Sequence, residues 1–253
     1  MTRRIFLGLV AAFFLGLTVS ARAQDGQAKD EINVLFIGNS LTYYNDLPKM
    51  VAALAKADKQ RPLHYERETP GGCTFEKHWK DGKALAKIQS RKWDYVVLQD
   101  NSQGPLKMRE SMFVHARKFD AEVKKQGAKT LLYMTWALQN KPEDQAAISK
   151  AYLDLSAELK CPVAPVGNAW EMALKADKKP TLHTGDKKHP TATGTYLAAC
   201  VFYATIYNRS PEGLPGSIGK LSDEEARPLQ AIAWKTVQAN GKNQRLNEHL
   251  GRF

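Results

Sequence analysis

Cysteine is scarce: three in 253 residues, at positions 73, 161 and 200, with no C-x-x-C pair. That excludes a disulfide-stapled mini-protein and a zinc-ribbon spacing. The 17 glycines and 12 prolines are too few and too aperiodic for collagen or a low-complexity scaffold. No uncharged apolar run reaches the roughly 20 residues that a membrane span needs. Acids are also in short supply, 26 against 37 lysines and arginines, so the formal net charge is +11. What remains is 43% hydrophobic and 25% charged, which is globular rather than disordered. The length suits one large domain or at most two small ones.

The N-terminus reads as an export signal. Arg3 and Arg4 form a positive start, Ile5 to Val19 carries no charge, and Ala21-Arg22-Ala23 offers small residues at −3 and −1. Residues 1–23 are therefore expected to be removed before Gln24, with 24–30 as a flexible leader and 31–253 as a single domain. Arg3-Arg4 fits a twin-arginine signal and the apolar run fits the general secretory route. No cysteine follows the cut, which argues against a lipid anchor, and no stable membrane insertion is expected. The expected location is periplasmic or secreted. Cleavage takes three arginines and no acid with it, leaving 230 residues at +8.

A surplus of this size does not by itself mean nucleic acid. The lysines, such as Lys77, Lys80, Lys83 and Lys87, spread over helix faces rather than forming one stripe, and no zinc-finger or RNP-type motif occurs. No nucleic-acid partner is expected. His64, His78, His115 and His249 lack ligand spacing, so neither a metal nor another cofactor is expected, and His183 is read as structural. If one disulfide forms, Cys161–Cys200 is the expected pair; three buried thiols are the alternative.

Short apolar runs alternate with helical periodicity. Strands are expected at Ile32 to Ile37, Leu63 to Arg67, Tyr95 to Leu98, Thr130 to Met134 and Pro162 to Val166. Helices are expected at 48–59, 75–90, 111–126, 142–159, 192–207 and 222–250. Five strands separated by helices predict an α/β fold with a mostly parallel five-stranded sheet between two helical layers. In such a sheet ligands bind beyond the carboxyl ends of the strands.

Polar residues cluster there. Gly38-Asn39-Ser40-Leu41-Thr42 follows the first strand, where a glycine turn would present the Ser40 hydroxyl. Thr69-Pro70-Gly71-Gly72-Cys73 follows the second. Gln99-Asp100-Asn101-Ser102-Gln103 follows the third, where a side-chain amide could donate to an oxyanion. Asp186 and His189 are three residues apart in a tight loop, so the carboxylate can hold Nδ1–H and leave Nε2 as a base. Trp136, after the fourth strand, is a candidate substrate-binding surface or a piece of partly buried core.

At Phe36-Ile37-Gly38-Asn39-Ser40, Gly71-Gly72, Leu98-Gln99-Asp100-Asn101 and Asp186-Lys187-Lys188-His189-Pro190 the chain resembles the SGNH hydrolases, the GDSL-like lipase/esterase superfamily. The resemblance spans roughly residues 31–208. It implies a three-layer α/β/α sandwich, flavodoxin-like, and a serine esterase. It implies Ser40 as nucleophile, His189 as base and Asp186 as its partner, with an oxyanion hole from the N–H groups of Ser40 and Gly72 and the side chain of Asn101. Two departures stand out. Gly-Asn-Ser-Leu replaces Gly-Asp-Ser-Leu, and the third block lacks Gly-x-Asn-Asp, which leaves Gln99 and Gln103 as alternative donors. The expected substrate is a small-molecule or carbohydrate ester with a short, acetyl-type acyl group. A lipase or lysophospholipase, and a non-catalytic binding protein on the same scaffold, are the alternatives.

Overall fold

Val34 and Phe36 face one way and Leu35 and Ile37 the other, yet all four are fully buried. A strand hydrophobic on both sides belongs in the middle of a sheet covered on both faces. In the computed structural model, which describes Met1 and residues 31–250 (backbone alone for 242–250), this strand is β1, Ile32–Ile37. Apart from Met1, the expected signal 1–23 and leader 24–30 lie outside the described residues.

Four more strands complete the sheet: β2 (Leu63–Glu68), β3 (Tyr95–Leu98), β4 (Lys129–Tyr133) and β5 (Val163–Ala164). Their order is β2-β1-β3-β4-β5 and every pairing is parallel. That is the flavodoxin-like winding, with the direction of progression reversing at β1 and β3.

The helices are α1 (Ser40–Tyr43), α2 (Leu47–Ala57), α3 (Phe75–Asp81), α4 (Lys83–Ser90), α5 (Gly104–Lys107), α6 (Arg109–Lys125), α7 (Gln145–Leu159), α8 (Val166–Leu174), α9 (Ala192–Tyr207) and α10 (Asp223–Leu250). Helices α2, α8, α9 and α10 pack with Val34, Phe36, Val97, Leu131 and Tyr133 on one face. Helices α3, α4, α6 and α7 pack with Leu35, Ile37, Val96, Leu98 and Leu132 on the other. Each fully buried Val, Leu or Phe adds about 1.5–3 kcal/mol, so both cores are substantial. No helix among the described residues is long and apolar enough to cross a membrane.

Helix α9 is apolar nearly all round because α10 covers the side that the sheet does not. Gln230 on α10 donates to Tyr196 Oη at 2.7 Å and to the Leu214 carbonyl at 2.6 Å, so this second interface also carries satisfied polar contacts. Ser222 and Glu225 start α10 with a capping box, the serine hydroxyl accepting from Glu225 N and the carboxylate from Ser222 N.

Three expectations are corrected. The helix expected over 75–90 is two helices, broken at Gly82, whose φ of +71° suits glycine. The strand expected over 162–166 shrinks to Val163–Ala164, and α8 begins at Val166, a helix that the sequence reading did not include. The Cys161–Cys200 bridge does not form. All three thiols are free and buried, and Cys161 and Cys200 lie in cores on opposite faces of the sheet.

Candidate active site

Gly38, directly after β1, has no room for a side chain. A Cβ there would sit 2.5 Å from Gln99 Oε1 and 2.7 Å from Thr42 Oγ1. Its carbonyl accepts from Nε2 of buried His78 at 2.7 Å. Burial holds the His78 imidazole below its usual range, in keeping with a neutral ring that donates through Nε2–H.

Asn39 joins three turns. Its Oδ1 caps α1 by accepting from Leu41 N at 3.1 Å. Its Nδ2 donates to the Cys73 carbonyl at 2.9 Å, and its backbone N–H donates to Gln99 Oε1 at 2.9 Å. The end of β1 is thereby fixed to the segments that follow β2 and β3. Ser40 opens α1, so its own N–H has no intrahelical acceptor.

The Ser40 hydroxyl is 2.8 Å from His189 Nε2. His189 Nδ1 pairs with Asp186 Oδ2. An ionised carboxylate can only accept, so Nδ1 carries the proton and Nε2 is left to accept from Ser40. Asp186 Oδ1 accepts from the backbone N–H groups of Lys188 and His189, each at 2.9 Å, and from the Thr184 hydroxyl at 2.8 Å. The His189 hydrogen bond foremost, then these donors, hold the Asp186 carboxyl well below the usual carboxylate range.

The loop that carries this pair is braced from several sides. Thr184 N donates to the His189 carbonyl and Thr191 N to that of Leu182, both at 2.8 Å. Gln139 N donates to the Lys187 carbonyl at 2.9 Å. Trp136 Nε1 donates to the Lys188 carbonyl at 3.0 Å. Trp136 was expected either as a substrate surface or as core. It is only 3% exposed and lies stacked on Trp170, 3.8 Å between centroids, so it supports the loop from beneath. His183 is buried and faces the Ala137 carbonyl at 3.0 Å, a packing position.

The oxyanion candidates are brought together in part. Gly72 turns with φ +66°, and Asn101 Nδ2 donates to the Gly72 carbonyl at 3.1 Å. Gln99 is fully buried and committed: Oε1 accepts from Asn39 N and Thr42 Oγ1, and Nε2 donates to the Asp100 carbonyl. It is a joint between turns, not a free donor. Gln103 precedes α5 and donates its backbone N–H to Asn101 Oδ1 at 3.0 Å. Of the three side chains, Asn101 is the one held against Gly72.

Two residues at the site were given no role of their own by the sequence reading. Tyr44 stacks on the His189 ring, 4.3 Å between centroids and 10° between planes. It lies four residues after Ser40, but its partner is on a distant loop, and only the adjacency of Tyr43-Tyr44 to the Gly-Asn-Ser turn could have pointed to it. Asp100 is 2% exposed, and its Oδ1 accepts from Phe75 N and Asn101 N, both at 2.8 Å. Burial raises its carboxyl to about 6. Among the described residues no group of three or more His, Cys, Asp or Glu is arranged to hold a metal ion.

The same fold occurs among solved structures. A protein from Slackia heliotrinireducens, provisionally described as an SGNH hydrolase, superposes with a TM-score of 0.60 at 23% identity, covering 70% of this chain and 99% of its own. A DUF4886 family protein from Bacteroides uniformis reaches 0.71 at 18% identity, over 82% of this chain and 95% of its own. A variant of Axe2, an acetyl-xylooligosaccharide esterase from Geobacillus Stearmophilus, reaches 0.57 at 16% identity, over 69% and 94%. No family model and no curated protein matches the sequence. The chain has the SGNH hydrolase fold.

Proposed function

We propose that this protein is a serine esterase that removes short acyl groups, acetyl foremost, from carbohydrate esters outside the cytoplasm. The observation that carries the reading is the unbroken relay from the Ser40 hydroxyl through His189 to Asp186. His189 Nε2 takes the Ser40 proton as Oγ attacks the ester carbonyl. The tetrahedral oxyanion is held by the N–H groups of Ser40 and Gly72 and by Asn101 Nδ2. His189 then protonates the departing alcohol, which leaves an acyl-serine. Water, deprotonated by the same Nε2, releases the acid and returns the proton to Ser40.

The acetyl and carbohydrate parts rest on the likeness to the Geobacillus esterase and on the lack of a long apolar lid in the sequence. Export rests on residues 1–23 alone. Turnover of p-nitrophenyl acetate tests the core of the reading: Ser40→Ala is expected to lose activity by several orders of magnitude. Equal turnover by both proteins would refute the nucleophile and favour a binding protein. Acetate release from acetylated polysaccharides tests the substrate class. A preference for palmitoyl over acetyl esters would overturn it in favour of a lipase.

A further inference from the structure

We infer that Tyr44 is a positioning residue that holds the His189 ring in its working plane while water attacks the acyl-enzyme. The inference rests on the esterase reading above, and it assigns to Tyr44 a stage of that reaction.

Three contacts fix the imidazole. Nδ1 is held by Asp186, Nε2 by Ser40, and the ring face by Tyr44. In the free enzyme all three act together. Once Oγ is esterified it has no proton to share, and the Ser40 contact is gone. The Asp186 bond alone leaves the ring free to pivot about the line between the two groups. The Tyr44 face, stacked on the imidazole and nearly parallel to it, opposes that pivot. It keeps Nε2 aimed at the place where water must give up its proton.

Tyr44 is itself held for such a task. It directly follows α1 and opens a short turn through Asn45 and Asp46, both in the left-handed region with φ of 51° and 53°. Asn45 Nδ2 donates to the Pro190 carbonyl at 3.1 Å and to Thr195 Oγ1 at 2.9 Å. The turn is therefore bonded to the residue next to His189 and to the first turn of α9. Tyr43 stacks on Tyr44 in turn, 5.5 Å between centroids. The Tyr44 ring thus moves with the loop whose histidine it faces.

The stack matters little while Ser40 still holds Nε2 and most after acylation, so its loss should act on one half-reaction. The experiment measures kcat and kcat/KM for p-nitrophenyl acetate with wild type, Tyr44→Leu and Tyr44→Phe. Stacked pairs of this kind correspond to about a three- to tenfold effect. Tyr44→Leu is expected to lower kcat by about that factor and KM in parallel, with kcat/KM within about twofold of wild type. Tyr44→Phe, which keeps the face and loses only the hydroxyl, is expected to restore kcat. Tyr44→Met takes the place of the leucine variant if that one does not fold. A fall of kcat/KM equal to that of kcat, an unchanged kcat, or a phenylalanine variant as impaired as leucine would each overturn the inference. Full turnover by Ser40→Ala would instead overturn the esterase reading, whatever the Tyr44 variants do.

Discussion

Asn39 illustrates how far a single atom type can matter at the residue scale. A carboxylate at this position could still cap α1, because Oδ1 only accepts there. It could not donate to the Cys73 carbonyl, which the amide does at 2.9 Å. The departure from Gly-Asp-Ser-Leu therefore adds a tie between the Ser40 turn and the segment that carries Gly72. Asn39→Asp should lose that tie and put a charge beside a carbonyl. The net value of one hydrogen bond, about 0.5–1.5 kcal/mol, translates into about a three- to tenfold loss of kcat/KM. An aspartate variant with wild-type kinetics would show that the tie contributes nothing. The sequence displayed Ser40, Asp186 and His189 because residue type and order carry that signal. The roles of Tyr44 and Asp100 stayed hidden because they are contacts: a ring against a ring, and a buried carboxylate that accepts from the N–H opening α3 and from that of the next residue.

Gly194, in the first turn of α9, sets helix propensity against packing at the scale of elements. Alanine is better than glycine in a helix interior by about 1 kcal/mol. Here, however, a Cβ would lie 2.5 Å from the Leu182 carbonyl oxygen and 2.6 Å from the Trp170 ring. Neither neighbour is a loose chain end, and overpacking costs about 1–3 kcal/mol. Gly194→Ala should therefore destabilise the protein in urea unfolding and lower activity as well, since Leu182 begins the loop that carries Asp186 and His189. A stabilised variant would contradict this account. The elements that the sequence revealed were those with strong local periodicity: β1, β3 and α9 lie where the pattern puts them. Helix α8 escaped because it starts with Val166-Gly167-Asn168 after a proline, poor helix formers in isolation. Its packing is nonlocal: a side chain on Gly167 would meet the Thr135 carbonyl oxygen at 2.1 Å. The Gly82 break escaped because apolar spacing continues across it while the backbone does not.

At the scale of the whole molecule, one buried acid shapes the dependence of stability on pH. Asp100 titrates near 3.8 when unfolded and at about 6 when folded. Between those values the native state binds more protons, so this group's contribution to stability is present below the lower value and is lost as pH rises through the upper. The loss amounts to about 3 kcal/mol above that window, from about two pH units at about 1.4 kcal/mol each. Asp100→Asn keeps an oxygen for the Phe75 and Asn101 N–H groups and removes the charge. Relative to wild type, its urea midpoint should rise at pH 8 by more than at pH 4. An equal change at both would refute the buried-charge account.

The sheet order carries one more consequence. A row of parallel strands has two open rims, each able to recruit a stray strand and seed aggregation. On one rim β5 offers only two residues, between Pro162 and Pro165, and proline has no N–H to lend. On the other, β2 ends in Glu66-Arg67-Glu68, with Glu66 paired to Lys87 at 2.9 Å. One rim is too short to template and the other too charged to be matched, so the fold guards itself against its own kind while its chemistry stays at the strand ends.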